Sequence, residues 1–353
     1  MHLRTRAVGA VAVVAAALVT TLPAAAPVSA QQQPIKLTFA DQNSPQAWGP
    51  SRALYPWVKQ IEEATKGQVK IEVFPSQTLV KGVDMWKAAA TGTIDIGWCV
   101  QSYWSDLTPL SDVVGLPGLP AAVSAEKMSE ALWKLYEKYP SIQKEYDQAG
   151  IMPLALYVTA SYFVTSAKKQ VKTLDDMKGL KIRVVGGPGI EYVKAMGGVP
   201  TPMPAPDVYQ ALDKGVVDAA GVPWEAIHGF RLYEVIKSVT LAPLSRAYFS
   251  ICANKAKMMS LPADVRAQIM SVGGLPGSKH WGREFFDTAE AGVADAVKTS
   301  GKALDRIELA PAELERWTAL AKPIHEDWVK RMEAKGHKEA REILNDMLAL
   351  LKG

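Results

Sequence analysis

Cysteine is nearly absent from the 353-residue sequence: only Cys99 and Cys252 occur. Neither has the regularly spaced His or acid partners that a two-cysteine metal site needs. Both lie in strand-like runs, IDIGWCV and YFSICAN. A buried free thiol fits there, and so does one disulfide in an oxidising compartment; both readings stay open. Histidine is scarce too, with five in the chain. There is no G-x-S-x-G nucleophile elbow. His325-Glu326 starts like a zincin helix, but no second histidine follows at the required spacing. These gaps argue against an enzyme. The formal charge is only +4, so nothing in it asks for a nucleic acid or an anionic membrane as partner. After Val19 no run is long and apolar enough to span a bilayer, which takes about 20 residues.

The N-terminus is distinctive. MHLRTR is followed by an apolar run from Ala7 to Val19 and then by TTLPAAAPVSA. A basic start, a short apolar core and small residues at Val28 and Ala30 predict a secretory signal peptide over residues 1–30. Cleavage after Ala30 would leave 323 residues with a net charge of +2. That length suggests about two domains. With 48% hydrophobic residues and ten Trp, the chain can fill their cores.

IKLTFA alternates like a first strand and ends in Asp41-Gln42-Asn43-Ser44-Pro45, at the strand end where α/β folds place ligands. A helical pattern from Ala47 to Lys66, the strand QVKIEVF, a helix near residues 80–90 and the strand TIDIGWCV complete a β-α-β-α-β rhythm. This predicts a largely parallel sheet with helices on both faces. A long helix is expected from about Ser124 to Tyr139. GIMPLALYV, YFVTSA, VIKSVTLA and AYFSICANK read as further strands, and the last ninety residues as helical. No linker separates consecutive domains, so the chain is expected to cross between two α/β units more than once.

Between Thr173 and Glu225 a short strand, KIRVV, runs into Gly186-Gly187-Pro188-Gly189 and a helix start. The spacing breaks the dinucleotide fingerprint, because Tyr192 stands where the third glycine belongs. A tight turn that uses glycine's tolerance of positive φ is the better reading, with helix-start N–H groups available to an anion. Lys181 and Arg183 share one face of the strand. That face is either solvated, or it aims a guanidinium at a ligand carboxylate for two charge-assisted bonds. Local sequence does not choose between them.

The run LDDMKGLKIRVVGGPGIEYVKAMGGVPTPMPAPDVYQALDKGVVDAA resembles the solute-binding subunits of TRAP (tripartite ATP-independent periplasmic) transporters, the DctP-like branch. The resemblance extends in collinear order to KGQVKIEVFPSQTL, AAATGTIDIG and LTPLSDVVGLPGLP. It implies an α/β, two-domain periplasmic-binding-protein clamshell with interleaved domains and a long hinge-spanning helix. Residues 31–159 and 249–288 would form domain I, and 160–248 and 289–353 domain II. It implies an organic acid bound in the interdomain cleft and passed to small and large TRAP permease subunits, with no cofactor or metal. The receptor is expected to be a periplasmic monomer.

By the same resemblance Arg183 falls on the family's ligand-binding arginine. Tyr162 stands where some members carry a second arginine, and Val222 where an asparagine often touches the ligand. Losing that charge and that amide would leave the polar groups of a dicarboxylate or sugar acid unpaired, at about 1–3 kcal/mol each. An aromatic or apolar body would gain from burial and stacking. The expectation is therefore a monocarboxylate with such a body. The alternatives are a C4-dicarboxylate or 2-oxo acid receptor, or a sensory receptor of the same fold. Trp224 is the first aromatic candidate for the pocket, with Trp48 and Trp104 behind it; Asn43 and Tyr103 complete the expected ligand contacts.

Overall fold

Alternation in IKLTFA and VKIEVF becomes two paired strands in the computed structural model. The structure describes His2, Gly9 and residues 33–352 other than Ala121, and the compact body begins at Pro34. The predicted signal peptide lies outside the described residues apart from those two positions. In chain order, β1 (Ile35–Ala40), β2 (Val69–Phe74), β3 (Ile96–Val100) and β4 (Ile151–Val158) belong to a first sheet. The chain then crosses to a second sheet, forming β5 (Phe163–Ser166), β6 (Lys181–Val184), β7 (Val199–Pro202), β8 (Ala219–Val222) and β9 (Ser238–Thr240). It returns as β10 (Tyr248–Asn254) and crosses again to give β11 (Asp305–Ile307). The strand orders are β2-β1-β3-β10-β4 and β11-β9-β5-β8-β6-β7.

Each sheet is parallel except for one strand. β10 runs antiparallel to both β3 and β4, and β5 antiparallel to both β8 and β9. β7 occupies what reads in sequence as a proline-rich turn. It sits at the sheet's edge, where Pro200 and Pro202 leave no inner ladder bond unmade. β11 is three residues long, too short to show alternation among helices. Cys99 on β3 and Cys252 on β10 are joined by a disulfide, which settles the choice the sequence left open.

Two crossing segments run side by side. Thr159 N–H donates to the Ala247 carbonyl (2.9 Å), Tyr162 N–H to Ser245 (2.9 Å) and Leu244 N–H to Tyr162 (2.9 Å). A third crossing is the unbroken helical rod Gly274–Thr299, which widens to π geometry over Gly282–Asp287. At 1.5 Å per residue it is about 39 Å long. Its first half buries Trp281, Phe285 and Phe286 in the core of the first lobe; its second half buries Ala289, Val293 and Val297 in the core of the second. This is the long helix expected to span the hinge. Gly282 lets it approach the helix Ala125–Lys138, where a Cβ would stand 2.6 Å from the Ala125 carbonyl. That second helix starts as its sequence predicts, with Ser124 Oγ accepting from Lys127 N–H (3.1 Å).

Residues 340–350, assigned with domain II on the sequence, pack differently. The helix Ala340–Leu350 lies against Ala125–Lys138 of the first lobe, and its Ile343, Leu344 and Met347 join that lobe's core. The reason is its strongly one-sided apolar face, which periodicity shows but whose partner it cannot name. Among the described residues no helix is long and apolar enough to cross a membrane.

Candidate functional site

Arg183 sits in the middle of β6, with Lys181 at the exposed start of the strand. Its side chain is 98% removed from solvent. Nε donates to the Met203 carbonyl (3.0 Å) and Nη1 to the Gly221 carbonyl (3.2 Å). These two carbonyls fix the plane of the guanidinium and leave further N–H groups available, since Arg carries five. Among the described residues no carboxylate forms an ion pair with it. A buried cation without a counter-charge is costly unless something supplies one.

Arg183 faces a cavity walled by both lobes and the crossing segments. Asn43, Tyr103, Tyr162 and Val222 line it too, so five of the eight residues expected at the ligand converge there. Tyr162 is on the first crossing segment; burial pushes its phenol up, against the pull of Arg183. Tyr103 accepts a hydrogen bond from Ala205 N–H (2.9 Å), and burial raises it as well. Asn43 is held by Asp41, whose Oδ1 accepts from Asn43 N–H (3.1 Å) and from Nδ2 (2.8 Å).

The three tryptophans are elsewhere. Trp224 opens the helix Trp224–Gly229 and shares a face with Ile227, three residues on, in the second lobe's core. There it meets Phe163 (centroids 6.4 Å apart) and lies under the Arg306 guanidinium (5.3 Å). Its neighbours Pro223, Glu225 and Ala226 point to the cavity instead. Trp48 donates from Nε1 to Thr288 Oγ1 of the long helix (2.8 Å) and packs edge-on to His228 (6.1 Å). Trp104 stands beside Trp86 (6.3 Å) in a second, more open cleft with Asp112 and Arg331.

The aromatic walls come from other residues: Trp98 on β3, Phe249 on β10, Phe230, and Phe286 on the long helix. Trp98, Phe249 and Phe286 form one packed group, with centroids 4.7 Å apart for Trp98–Phe249 and 5.7 Å for Phe249–Phe286. Strand alternation could have suggested Trp98 and Phe249; nothing in the sequence pattern marks Phe286 or Phe230. The Gly186-Gly187 turn does not touch this cavity. Its φ values of 139° and 58° suit glycine, and it seats against the first lobe, where a Cβ on Gly186 would come 2.2 Å from the Ser102 carbonyl.

Three acids are buried here: Glu225 in the cavity wall, Asp112 in the second cleft, and Asp41 beyond the end of β1. Asp41, Asp112 and Glu225 each keep a carboxyl oxygen without a hydrogen-bond partner among the described residues. Burial pushes them up to about 7, about 7 and about 8. Unfolded, such groups titrate near 4. Between roughly pH 4 and pH 8 the folded chain therefore binds more protons than the unfolded one, and stability is lost as pH rises through that window. The melting temperature should be higher at pH 5 than at pH 8; a scan that rises towards pH 8 would contradict this account of the three acids.

A profile of the bacterial extracellular solute-binding protein family 7 (DctP) matches residues 40–331. A TRAP solute-binding protein from Rhodoferax ferrireducens, solved with copurified benzoate, superposes with a TM-score of 0.83 at 26% identity. The match covers 90% of this chain and 98% of that one. A TRAP periplasmic solute-binding protein from Bordetella bronchiseptica with bound (R)- and (S)-mandelate gives 0.82 at 26%, covering 90% and 99%. The C4-dicarboxylate-binding periplasmic protein DctP of Rhodobacter capsulatus is 26% identical over 322 residues, 89% of this chain and 92% of that one. The fold, the interlobe cavity and these matches agree: the chain belongs to the DctP family of extracellular solute-binding proteins and is a solute receptor of the TRAP type.

Proposed function

We propose that this receptor binds a monocarboxylate with an aromatic or otherwise apolar body in the periplasm and presents it to the TRAP membrane permease. The observation that carries the reading is Arg183: a buried guanidinium with no carboxylate partner among the described residues, in a cavity whose wall includes Trp98, Phe230, Phe249 and Phe286. The ligand's carboxylate supplies the counter-charge, and its body fills the space beside Trp98, Phe249 and Phe286. Two solved relatives that carry benzoate and mandelate support this reading.

A C4-dicarboxylate, the ligand in the name of the Rhodobacter relative, suits the cavity less well. Arg183 is the one cationic side chain among the described lining residues. A second carboxylate would meet Tyr162 and Val222 without a charge to pair with, and the cost of burying it unpaired is several kcal/mol, in order of magnitude. Because the site draws on both lobes, ligand would favour the closed form by its differential affinity.

A thermal-shift and calorimetric panel tests the proposal, with benzoate, phenylacetate and mandelate set against succinate, malate, pyruvate and glucuronate. At least one of the first group should bind with micromolar affinity or better and raise the melting temperature. Tight binding confined to the second group would refute it.

A further inference from the structure

Glu225 lines the ligand cavity from the helix Trp224–Gly229, yet it forms no ion pair with Arg183. The charge that bears on it is Asp41, at the end of β1 in the other lobe. Both carboxyls are buried, at 5% and 1% exposure. Asp41 Oδ2 and Glu225 Oε1 each lack a hydrogen-bond partner among the described residues, and no hydrogen bond joins the two, so a shared proton does not satisfy both. The Tyr157 hydroxyl lies in the field of both acids, with Trp98, whose ring belongs to the cavity wall, as a hydrogen-bonding neighbour.

Buried carboxyl oxygens without partners are unusual, since nearly all such groups in folded proteins are paired. A carboxyl oxygen accepts, and the neighbouring phenol and indole N–H donate. A group able to do both would suit them, and a hydroxyl is the smallest that qualifies. A second carboxylate would suit less well, because no cation in the cavity wall beside Glu225 would pair with it and an unpaired buried charge is costly.

We propose that Glu225, backed by Asp41 across the cleft, forms a second polar pole of the cavity that takes a hydroxyl on the body of the ligand. The receptor thus selects hydroxylated aromatic or apolar monocarboxylates over their deoxy counterparts. This rests on the carboxylate-and-apolar-body reading above and narrows it. Glu225 acts here on specificity, while Arg183 acts on the acid group. Burial raises Glu225 to about 8 and Asp41 to about 7, so near neutrality the pole carries less negative charge than two ordinary carboxylates would and bears less against the ligand's own.

Calorimetry on the full chain with matched pairs provides the test: benzoate against 3- and 4-hydroxybenzoate, and phenylacetate against 3- and 4-hydroxyphenylacetate and mandelate. At least one hydroxy acid should bind about tenfold or more tighter than its deoxy partner, the discrimination expected when a site's buried polar groups are left unpaired. Glu225→Met should collapse that ratio towards one and raise the melting temperature of the ligand-free protein, because it removes a buried acid with an orphan oxygen. Glu225→Ala serves the same comparison if the methionine variant does not fold. Deoxy acids binding as tightly as all their hydroxylated partners would overturn the inference and leave the aromatic-acid reading standing. So would a preference that survives in both variants. Binding of none of these acids overturns both.

Discussion

Replacing Arg183 with Ala is expected to weaken binding of the receptor's best acid by at least about thirtyfold. The guanidinium is buried, its plane is set by the Met203 and Gly221 carbonyls, and no protein carboxylate pairs with it. In the proposed complex it is the one cationic side chain that the described lining residues offer the ligand. Truncating one side of a buried charge pair typically costs about 2–5 kcal/mol, because the remaining charge is left dry and alone. Lysine should not rescue fully, since an ammonium cannot offer the planar two-bond fork. The ligand-free variant should behave differently. Arg183→Met removes an uncompensated cation along with two hydrogen bonds, so its melting temperature should change far less than its affinity. Calorimetry with the tightest acid from the panel, plus circular dichroism to confirm folding, decides the matter. Affinity kept within a few fold in a folded Arg183→Ala protein would remove the arginine from the site.

The second large effect concerns the Cys99–Cys252 disulfide, which closes a loop of 153 residues. In the chain-entropy picture a loop of that size restricts the unfolded state by about 5 kcal/mol, and native disulfides usually contribute about 2–5 kcal/mol. Reduction should therefore lower the unfolding midpoint in urea substantially. Both sulfurs are fully buried between β3 and β10, so reductant should act slowly on the native protein and quickly once it unfolds. The Cys99→Ala, Cys252→Ala double variant should be destabilised at least as much, since it also leaves small cavities. Comparing the two separates the covalent contribution from packing: reduced wild-type protein keeps every side chain in place. A midpoint unmoved by reduction would mean that the cross-link carries none of the stability.

Much of the fold was legible because it depends on local periodicity. Alternation marked the first strands, the helix expected from about Ser124 to Tyr139 is Ala125–Lys138, and the missing linker marked a chain that crosses between lobes. Arg183 was legible as a cation on a strand before a glycine turn, although only the family resemblance chose its role. The aromatic walls were only partly legible, for a physical reason. Trp224 lies next to residues that face the cavity, but the helix turns about 100° per residue and carries it to the opposite side. Trp98, Phe249 and Phe286 come from three distant segments that meet only in the folded state. Glu225 looked like one acid among many. Its significance lies in burial and orphaned oxygens, which no sequence window reports.

The position of β10 has a consequence for how the molecule is made. β3 and β4 are not neighbours; β10 fills the slot between them, pairing Phe249 with Val100 on one side and Tyr248 with Val158 on the other. β10 is synthesised only after β5 to β9, so the first sheet stays split until the chain has come back from the second. Such long-range closure is slow by nature and leaves strand edges open in the meantime. The exposed margins of β3 and β4 are then the region most open to mispairing. A chain truncated before Tyr248 would present both margins permanently, and it should aggregate instead of persisting as a half-receptor.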